Sequence, residues 1–406
     1  MDKNSLKILH VTPIYEPAWK AGGVVRSTSL LCRALAKLGH EVTVFTTNSD
    51  GRGYLDVPVN VPIDIGGVKV YYFHTNFPSF LRYSRQLKIA CKKMVTDFDI
   101  IHITSFWNYP GIPAAKEATK AGIPYVVSTR GTLIPGALSR KLWKKWLYLH
   151  LVDYRIMKKA SAIHFTTRLE MESTKWLKRL RIPNFIIPNG LNFDEFNEPP
   201  SKKEAKKKFG FPIGNFLISY LGRLDPRKGL DVFIRAFRKI ANIYPHVNLV
   251  IAGPDYGYKS KLRDIVSSLE LQNKVTFIDY ISPKERNIFL SATDLFVLPA
   301  YEGENFGNAA VEAMAAGVPV LISENVGICD AVREDGAGLV VPVDEDAIAN
   351  ALIEMLSNPE RLKELGKAAY ESARKRYDIR IVAKLMATAY EDILTGRRSP
   401  ELQWEG

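Results

Sequence analysis

The chain is poor in cysteine and has no long apolar run, and both features narrow what it can be. The three cysteines, Cys32, Cys91 and Cys329, are far apart among 406 residues and lack CxxC spacing. Neither a disulfide framework nor a zinc motif is therefore expected. No apolar run reaches the ~18 residues typical of a membrane span, and the N-terminal residues lack the apolar core of a signal peptide. These patterns predict a cytoplasmic protein.

Two nucleotide-binding motifs are also missing. Neither the dinucleotide fingerprint GxGxxG nor the P-loop GxxxxGK[ST] occurs in the sequence. What the chain does have is an uneven charge: residues 1–200 hold 28 Lys and Arg against 15 Asp and Glu, whereas residues 201–406 hold 28 of each. The whole formal charge of +13 therefore lies in the first half. This asymmetry predicts an acidic partner for that half: an anionic membrane surface, nucleic acid or an acidic substrate.

Short apolar runs alternate with helical patterns along nearly the whole chain. The series runs from residue 7 to about 187, breaks at a Pro- and Asn-rich segment over 191–203, and restarts at residue 216. Such alternation is typical of a parallel, doubly wound sheet, and a content of 46% hydrophobic residues supports two cores. The sequence therefore predicts an α/β protein of two similar halves, with 191–203 as the linker and residues 47–67 as a long loop.

The stretch 299–319 combines a strand end, an acidic glycine-rich loop and a helix. An apolar strand is predicted over 294–298, and a helix from near Phe306 to Gly317. Glu304 lies just before this helix, and Glu312 lies about two turns inside it. A carboxylate in a ligand cleft can accept two hydrogen bonds from vicinal hydroxyls, so Glu312 could hold a ribose and Glu304 a hexose. Taken singly, each glutamate also fits an exposed position without a ligand.

Two further loops suit a phosphate group. The Gly22-Gly23 loop follows the first strand and begins a helix, as does the segment 222–229, GRLDPRKG, in the second half. Backbone N–H groups at such a helix start favour anions. Arg223 offers a bidentate fork and Lys228 a point charge, a combination that suits a diphosphate. Alone, a Gly-Gly turn and a solvated basic loop are the ordinary interpretations.

Together these motifs are far more specific. Five motifs occur along the chain in this order: the Gly22-Gly23 loop, GHEVTVFTT, IIPNGLNFDEF, GRLDPRKG, and ENFGNAAVEAMAAGVPV with its spacing Glu304-x7-Glu312. This order resembles the retaining glycosyltransferases of family 4, which have the GT-B fold. The resemblance covers residues 7 to about 390.

The resemblance implies an architecture and a site. Two Rossmann-like doubly wound domains would face each other across a cleft: an acceptor-binding domain over 1–195 and a nucleotide-sugar-binding domain over 201–378. A last helix, at about 379–394, would cross back to the first domain. The implied donor-binding residues are Gly22, Gly23, Arg223, Lys228, Glu304, Asn305, Phe306, Gly307 and Glu312, of which Arg223, Lys228 and Glu304 would be catalytic.

The implied reaction moves a hexose-type sugar from a UDP- or GDP-sugar to a hydroxyl of a glycan or lipid-linked acceptor. The commonest context in this family is cell-surface polysaccharide or glycolipid assembly. Arg223 and Lys228 would neutralise the leaving diphosphate, so we expect no metal and no cofactor. The other candidates are a glycan phosphorylase or nucleotide-sugar epimerase of similar architecture, and a basic nucleic-acid-binding protein.

The acceptor side is less defined. Many relatives carry a His at the end of the strand 124–128, where this chain has Arg130. Arginine cannot act as a base, but it could bind an anionic acceptor or phosphate, or form a structural salt bridge. A basic, Trp-containing helix is predicted from residue 140 to about 149, and such a helix can lie on an anionic bilayer at the cytoplasmic face or simply pack on the sheet. His102 and His164 lie in apolar strands and are interpreted as core residues.

Overall fold

A computed structural model describes residues 5–51, 53–134, 154–174, 177, 180–302, 304–398, 402 and 404–405. The basic helix predicted at 140–149 lies outside these residues. The chain forms two compact units, Met1–Gly190 with Ile379–Gly406, and Leu191–Asp378. We refer to them as unit 1 and unit 2 and describe each by itself.

Unit 1 is built on a nine-stranded sheet in the order β15-β8-β7-β6-β5-β1-β2-β4-β3. Only the edge strands β3 and β15 run antiparallel to their neighbours. The strands are β1 (Lys7–Val11), β2 (Glu41–Thr47), β3 (Pro62–Asp64), β4 (Lys69–Phe73), β5 (Ile100–Thr104), β6 (Tyr125–Ser128), β7 (Ala162–Phe165), β8 (Asn184–Ile186) and β15 (Trp404–Glu405).

Helices cover both faces of this sheet, so its inner strands are apolar on both sides. The described helices are α1 (Gly23–Lys37), α2 (Arg85–Met94), α3 (Gly111–Ala121), α4 (Tyr154–Lys158), α5 (Arg168–Ser173) and the C-terminal α14 (Ile379–Thr395). Helix α14 packs against α1. Its residues Val382, Met386 and Tyr390 are buried in the same apolar cluster as Leu31 and Leu35 of α1.

Unit 2 has a six-stranded parallel sheet in the order β11-β10-β9-β12-β13-β14. Its strands are β9 (Phe216–Leu221), β10 (Val247–Ala252), β11 (Val275–Ile278), β12 (Leu295–Leu298), β13 (Val320–Ser323) and β14 (Gly338–Val341). Its helices are α6 (Lys202–Lys208), α7 (Leu230–Ala241), α8 (Lys259–Ser268), α9 (Arg286–Ser291), α10 (Asn308–Ala315), α11 (Cys329–Glu334), α12 (Glu345–Ser357) and α13 (Pro359–Tyr377). One continuous apolar core joins these elements.

The predicted α/β class with two doubly wound sheets is confirmed. The segment 191–203, predicted as the linker, begins at the boundary between the two units, and its Phe193 and Phe196 are buried in the core of unit 2. Two local predictions differ from the structure. The loop predicted over 47–67 contains β3, a three-residue edge strand that is too short to produce an alternating pattern. Helix α10 begins at Asn308 rather than near Phe306, because Gly307 is its N-cap residue, with φ of 96°.

In each sheet the strand order reverses at one point, and there the loops at the carboxyl ends of neighbouring strands diverge to opposite faces. This switch point lies between β1 and β5 in unit 1 and between β9 and β12 in unit 2. Ligands of open α/β sheets collect at such points. Among the described residues, no helix is long and apolar enough to cross a membrane.

Candidate functional site

The loop that follows β9 at the switch point of unit 2 is organised by Asp225. This buried carboxylate caps the short 3-10 turn Pro226–Lys228, accepting a hydrogen bond of 3.0 Å from the backbone N–H of Arg227. The Arg227 guanidinium also donates to both Asp225 oxygens, at 2.9 and 2.8 Å. The Arg227 side chain therefore stabilises the turn, and Lys228 is the next positively charged residue along the loop.

A glycine locks this loop against the loop after β12. Gly229 has φ of 65°, and a Cβ atom there would lie 2.0 Å from the carbonyl oxygen of Pro299. The backbone N–H of Tyr301 donates to the Arg227 carbonyl at 2.9 Å. Only glycine permits so close an approach of two backbones in this conformation. The two loops therefore form one rigid edge of the switch point.

Lys228 and Glu304 meet across this edge. The Lys228 ammonium donates a short hydrogen bond to Glu304 Oε2, although the two residues are 76 positions apart in sequence. Lys228 is 5% exposed, whereas the Glu304 side chain is 21% exposed. A charge-assisted hydrogen bond in a partly buried setting fixes both groups strongly. Two of the three predicted catalytic side chains are therefore in direct contact.

Glu312 is held by a partner that the sequence does not indicate. Its carboxylate is 2% exposed and accepts two hydrogen bonds from Arg286 Nη1, at 3.0 and 3.1 Å. The interpretation of Glu312 as an exposed helix glutamate is therefore wrong. A buried carboxylate needs such a partner, because an unpaired charge in the interior is strongly destabilising. Arg286 lies on α9, a helix of six residues, and no periodicity or spacing marks it.

The third predicted catalytic residue, Arg223, lies at the surface of the same loop. Its guanidinium carbon is 5.2 Å from the centre of the Tyr256 ring, a cation–π arrangement. The backbone beneath it is fixed, because the Tyr220 hydroxyl donates to the Arg223 carbonyl at 2.9 Å. Arg223 is therefore anchored at its main chain, with an exposed guanidinium.

The segment 305–307 connects Glu304 to helix α10 and packs against the core of unit 2. The Phe306 ring is buried and packs edge-on against Tyr377, with ring centres 5.5 Å apart. Gly307 is confined by Val326, whose Cγ1 atom would lie 2.7 Å from a Cβ at that position. Asn305 is half-buried at the start of this segment. The Phe306 side chain thus supports the loop from inside the core.

The switch point of unit 1 contains a cavity of about 140 Å³. Gly22, with φ of 110°, precedes the first turn of α1 on one side of it. Arg82 enters from another side and donates to Asn108 Oδ1 at 2.8 Å, and its burial lowers the pKa of its guanidinium. The lining residues are Thr12, Pro13, Ile14, Ala21, Val24, Val25, Arg82, Ser105 and Asn108. The predicted residues Gly22 and Gly23 therefore adjoin a cavity of mixed polarity.

Arg130 lies in the core of unit 1. It is 9% exposed, its backbone has φ of 50°, and its guanidinium donates to Asn189 Oδ1. Burial lowers the pKa of this guanidinium. The buried carboxylate of Glu170 fixes the same loop by accepting from the N–H of Gly131 and the hydroxyl of Thr129. The loop after β6 is thus held from beneath by buried polar contacts.

Three histidines form a buried layer in the same sheet. The His10 and His102 rings stack with centres 4.6 Å apart, and His102 Nδ1 lies 2.6 Å from the Tyr390 hydroxyl of α14. His164 Nε2 donates to the Ile187 carbonyl at 2.8 Å. Burial, with the charge of Arg130 as a further cause, lowers the pKa of His10 and of His164 to about 3. The interpretation of His102 and His164 as core residues is confirmed.

The cysteines are likewise buried free thiols, and burial raises the pKa of Cys32 and of Cys91 to about 12. Within the part of the chain that the structure describes, no group of three or more His, Cys, Asp or Glu side chains is arranged to hold a metal ion.

Comparison with known proteins agrees with this geometry. The family of glycosyl transferase 4-like domains matches residues 22–190, and that of glycosyl transferases group 1 matches residues 201–372. Phosphatidyl-myo-inositol mannosyltransferase of Mycobacterium tuberculosis is 27% identical over 381 residues, which cover 92% of this chain and 93% of that protein. Alpha-monoglucosyldiacylglycerol synthase of Streptococcus pneumoniae is 26% identical over 388 residues, covering 91% and 83% respectively.

The solved structure of sucrose-phosphate synthase from Thermosynechococcus elongatus has the same fold. It matches with a TM-score of 0.75 at 22% identity, covering 96% of this chain and 100% of that one. The two units therefore define a protein of the GT-B fold. The chain belongs to the family 4-type group 1 glycosyltransferases, and it is a glycosyltransferase. The phosphorylase, epimerase and nucleic-acid-binding alternatives are set aside on this ground.

Proposed function

We propose that this glycosyltransferase is a retaining enzyme that takes a hexose-type sugar from a UDP- or GDP-sugar. The observation that carries the proposal is the Lys228–Glu304 ion pair at the switch point of unit 2. A cation for a diphosphate and a carboxylate for sugar hydroxyls are placed side by side there. The buried Glu312, oriented by Arg286, supplies a second carboxylate on the helix that follows the same loop.

In this proposal each residue has one task. Glu312 accepts hydrogen bonds from the ribose hydroxyls, and Glu304 accepts them from the transferred sugar. Lys228 and Arg223 neutralise the diphosphate as the bond between the anomeric carbon and the phosphate oxygen breaks. The acceptor hydroxyl forms its bond on the same face, and its proton passes to the departing phosphate oxygen. The side chains are held before reaction by Asp225, Gly229 and Arg286, which limits reorganisation.

For the acceptor we propose a glycan or a lipid-linked saccharide, which receives the sugar at the cytoplasmic face of a membrane. Both curated relatives described above carry a lipid in their names, and all of the excess positive charge lies in residues 1–200. The cavity at the switch point of unit 1 is the proposed acceptor subsite, while Gly22 and Gly23 at its edge keep the donor-binding role that the resemblance implies. Arg130 and Glu170 would hold the neighbouring loop in the required shape.

A thermal-shift panel of UDP-, GDP- and ADP-sugars tests the donor. We expect one UDP- or GDP-sugar to raise the melting temperature well above the others, because a ligand at 100 times its Kd stabilises by about 2.7 kcal/mol. Proton NMR of the product then reports the anomeric configuration. An inverted product would contradict the retaining mechanism, and a panel without any shift would contradict the donor site.

We also expect activity without a metal, because Lys228 and Arg223 supply the positive charge that the leaving diphosphate requires. Turnover should be unchanged within error after dialysis against EDTA. Restoration of a lost activity by added Mg²⁺ or Mn²⁺ would show that these two side chains are insufficient.

A further inference from the structure

The loop after β10, residues 253–258, is paired with the loop after β9 beyond the ends of both strands. The Leu224 N–H donates to the Pro254 carbonyl at 2.9 Å, and the Tyr256 N–H donates to the Leu224 carbonyl at 3.1 Å. Leu224 and Asp255 thereby form a parallel bridge that continues the pairing of β9 with β10. The two loops therefore leave the sheet of unit 2 side by side.

Two further contacts hold the loop after β10 in place. A Cβ atom on Gly253 would lie 1.8 Å from the carbonyl oxygen of Gly222, so the two backbones touch. On the other side, Asp255 Oδ1 accepts hydrogen bonds from the three backbone N–H groups at 257–259, at 2.8, 2.9 and 3.1 Å. The backbone of Tyr256 is therefore fixed relative to the loop after β9.

The side chain of Tyr256 covers Arg223. Tyr256 is 41% exposed, and the centre of its ring lies 5.2 Å from the guanidinium carbon of Arg223. The other two cations of this loop, Arg227 and Lys228, each pair with a carboxylate. Arg223 is thus held by a ring face where its neighbours are held by negative charge.

An aromatic face and a carboxylate hold an arginine in different ways. A carboxylate occupies N–H donors of the guanidinium and neutralises its charge. A ring face attracts the cation and leaves the five N–H donors, which lie in the guanidinium plane, open at its edge. A guanidinium held in this way keeps both its charge and its fork of donors for an anion. Its side chain also loses less conformational freedom when that anion binds, because it is already ordered.

We propose that Tyr256 is a positioning residue for Arg223, whose guanidinium it holds in the orientation that meets the diphosphate of the donor. Tyr256 acts through its ring face and through Arg223, and it needs no contact of its own with the nucleotide. This role of Tyr256 rests on the proposed role of Arg223 and deepens it, because it states what orients a side chain that lies at the surface. The two residues can therefore be tested separately and together.

The test is isothermal titration calorimetry of the full chain with UDP, GDP and ADP, and then with the nucleoside of whichever diphosphate binds most tightly. Tyr256→Leu should weaken binding of that diphosphate by about threefold to fivefold, because leucine is apolar but has no negative ring face. Tyr256→Phe keeps the ring and should bind within about 1.5-fold of the original. The nucleoside, measured in competition with the diphosphate, should bind equally to all three proteins.

A double-mutant cycle shows whether Tyr256 acts through Arg223. Arg223→Ala should weaken diphosphate binding by about tenfold or more, because it removes charge-assisted hydrogen bonds. Adding Tyr256→Leu to Arg223→Ala should have no further effect. Helix α8 provides a matched control, because the ammonium nitrogen of the exposed Lys261 lies 5.3 Å from the centre of the Tyr258 ring. Lys261→Ala should leave binding within about 1.5-fold of the original. Circular dichroism melting confirms that each variant is folded.

Normal binding by Tyr256→Leu beside weak binding by Arg223→Ala would overturn the role of Tyr256 and leave the proposed function standing. A loss that persists in the Arg223→Ala background, or that extends to the nucleoside, would also overturn it and assign the ring to stacking on the base. A Tyr256→Phe variant as weak as Tyr256→Leu would assign the effect to the hydroxyl instead of the ring face. Unchanged binding by Arg223→Ala, or no binding of any nucleotide by the original protein, would contradict the proposed function as well.

Discussion

The two switch points of this protein share a topology but differ in their side-chain chemistry. In unit 2 the loops at the carboxyl ends of β9 and β12 carry paired charges, Lys228 with Glu304 and Arg286 with Glu312. In unit 1 the strands β1, β5 and β7 carry buried, neutral histidines, and the loop after β1 holds an ion pair, Arg33 with Glu16. A doubly wound sheet fixes where a ligand can collect, and the side chains at that place decide which ligand it is.

The difference follows from how each charge is satisfied. Lys228 pairs with Glu304, and Glu312 accepts two hydrogen bonds from Arg286 Nη1, so each of these charges has an opposite charge beside it at low exposure. Among the described residues, His10, His102 and His164 hydrogen-bond to a hydroxyl or a carbonyl group rather than to a carboxylate, and the Arg130 charge lies near them, so burial keeps them neutral. Unit 2 therefore places paired charges at its switch point, and unit 1 buries a layer of neutral histidines in its sheet.

The largest expected effect is a selective sensitivity of unit 1 to acid. The folded-state pKa of His10 and of His164 is lowered to about 3, against an unfolded value near 6.5. Unfolding then takes up protons below pH 6.5, so stability is complete above that pH and is lost as the pH falls towards 3. With His102 included, the slope approaches ~4 kcal/mol per pH unit.

Tryptophan fluorescence measures this effect for unit 1 alone. All six tryptophans belong to that unit: Trp19, Trp107, Trp143, Trp146, Trp176 and Trp404. The urea midpoint should be much lower at pH 5 than at pH 7.5. His164→Gln should reduce the pH dependence by about one third, whereas the exposed His246 of unit 2 should be replaceable by Gln without effect. Equal urea midpoints at pH 5 and pH 7.5 would contradict the lowered pKa values of the buried histidines.

The next largest effect concerns the charged pair of unit 2. Lys228→Ala and Glu304→Ala should each lower kcat by about a thousandfold or more while the fold remains intact, because in the proposed reaction each removes a group that acts on the developing charge or on the transferred sugar. Lys239→Ala, which removes an exposed lysine paired with Asp346, is the matched control and should stay near full activity. Near-normal sugar transfer by either variant would contradict the assignment of Lys228 and Glu304 to the active site.

A smaller effect, on the free energy of unfolding, distinguishes the close contacts at two glycines, Gly229 and Gly190. Gly229→Ala should lower the free energy of unfolding by about 3 kcal/mol, because its Cβ would meet a carbonyl oxygen at 2.0 Å in a left-handed conformation. Gly190→Ala in unit 1 should cost less, because the nearest atom is the terminal Cδ1 of the Ile379 side chain, at 2.3 Å, and the Ile379 Cα lies farther away, at 3.0 Å.

Gly210→Ala isolates the conformational cost, since φ is 70° and nothing lies within 4 Å of its Cβ position. It should cost only about 1 kcal/mol. Urea unfolding followed by circular dichroism ranks the three variants. Equal values for Gly229 and Gly210 would show that the contact with Pro299 relaxes and that the two loops are not locked.

The smallest expected effect is on donor affinity. Glu312→Gln should raise the KM for the donor by roughly tenfold to a hundredfold with a lesser change in kcat, because hydrogen bonds to a charged carboxylate contribute about 1.5–3 kcal/mol. Glu324→Gln, at an exposed position, should leave the KM unchanged. If Glu312 serves only to neutralise Arg286, Glu312→Gln will lower the melting temperature and leave the KM untouched.

Much of the fold is predictable from local pattern. The alternation predicted to restart at residue 216 begins with β9, and the strand predicted over 294–298 corresponds to β12, since both are short, mainly apolar runs. The helices α6 and α11 escape prediction because six or seven residues are too few to show a period. The residues of the candidate site also divide into those that a local pattern predicts and those that it does not. Glu304, Glu312 and Lys228 stand in recognisable motifs, whereas Arg286 is set by no local pattern.

The sequence alone determined the two α/β halves, the loops that follow their strands and the residues Arg223, Lys228, Glu304 and Glu312, because periodicity and motif spacing are local properties. Only the tertiary structure decided that Lys228 contacts Glu304, that Arg286 neutralises a buried Glu312, and that Arg130 lies inside unit 1 near neutral histidines. It also decided that the Tyr256 ring lies against the Arg223 guanidinium. Burial and pairing depend on which distant segments meet, and those contacts are created by packing.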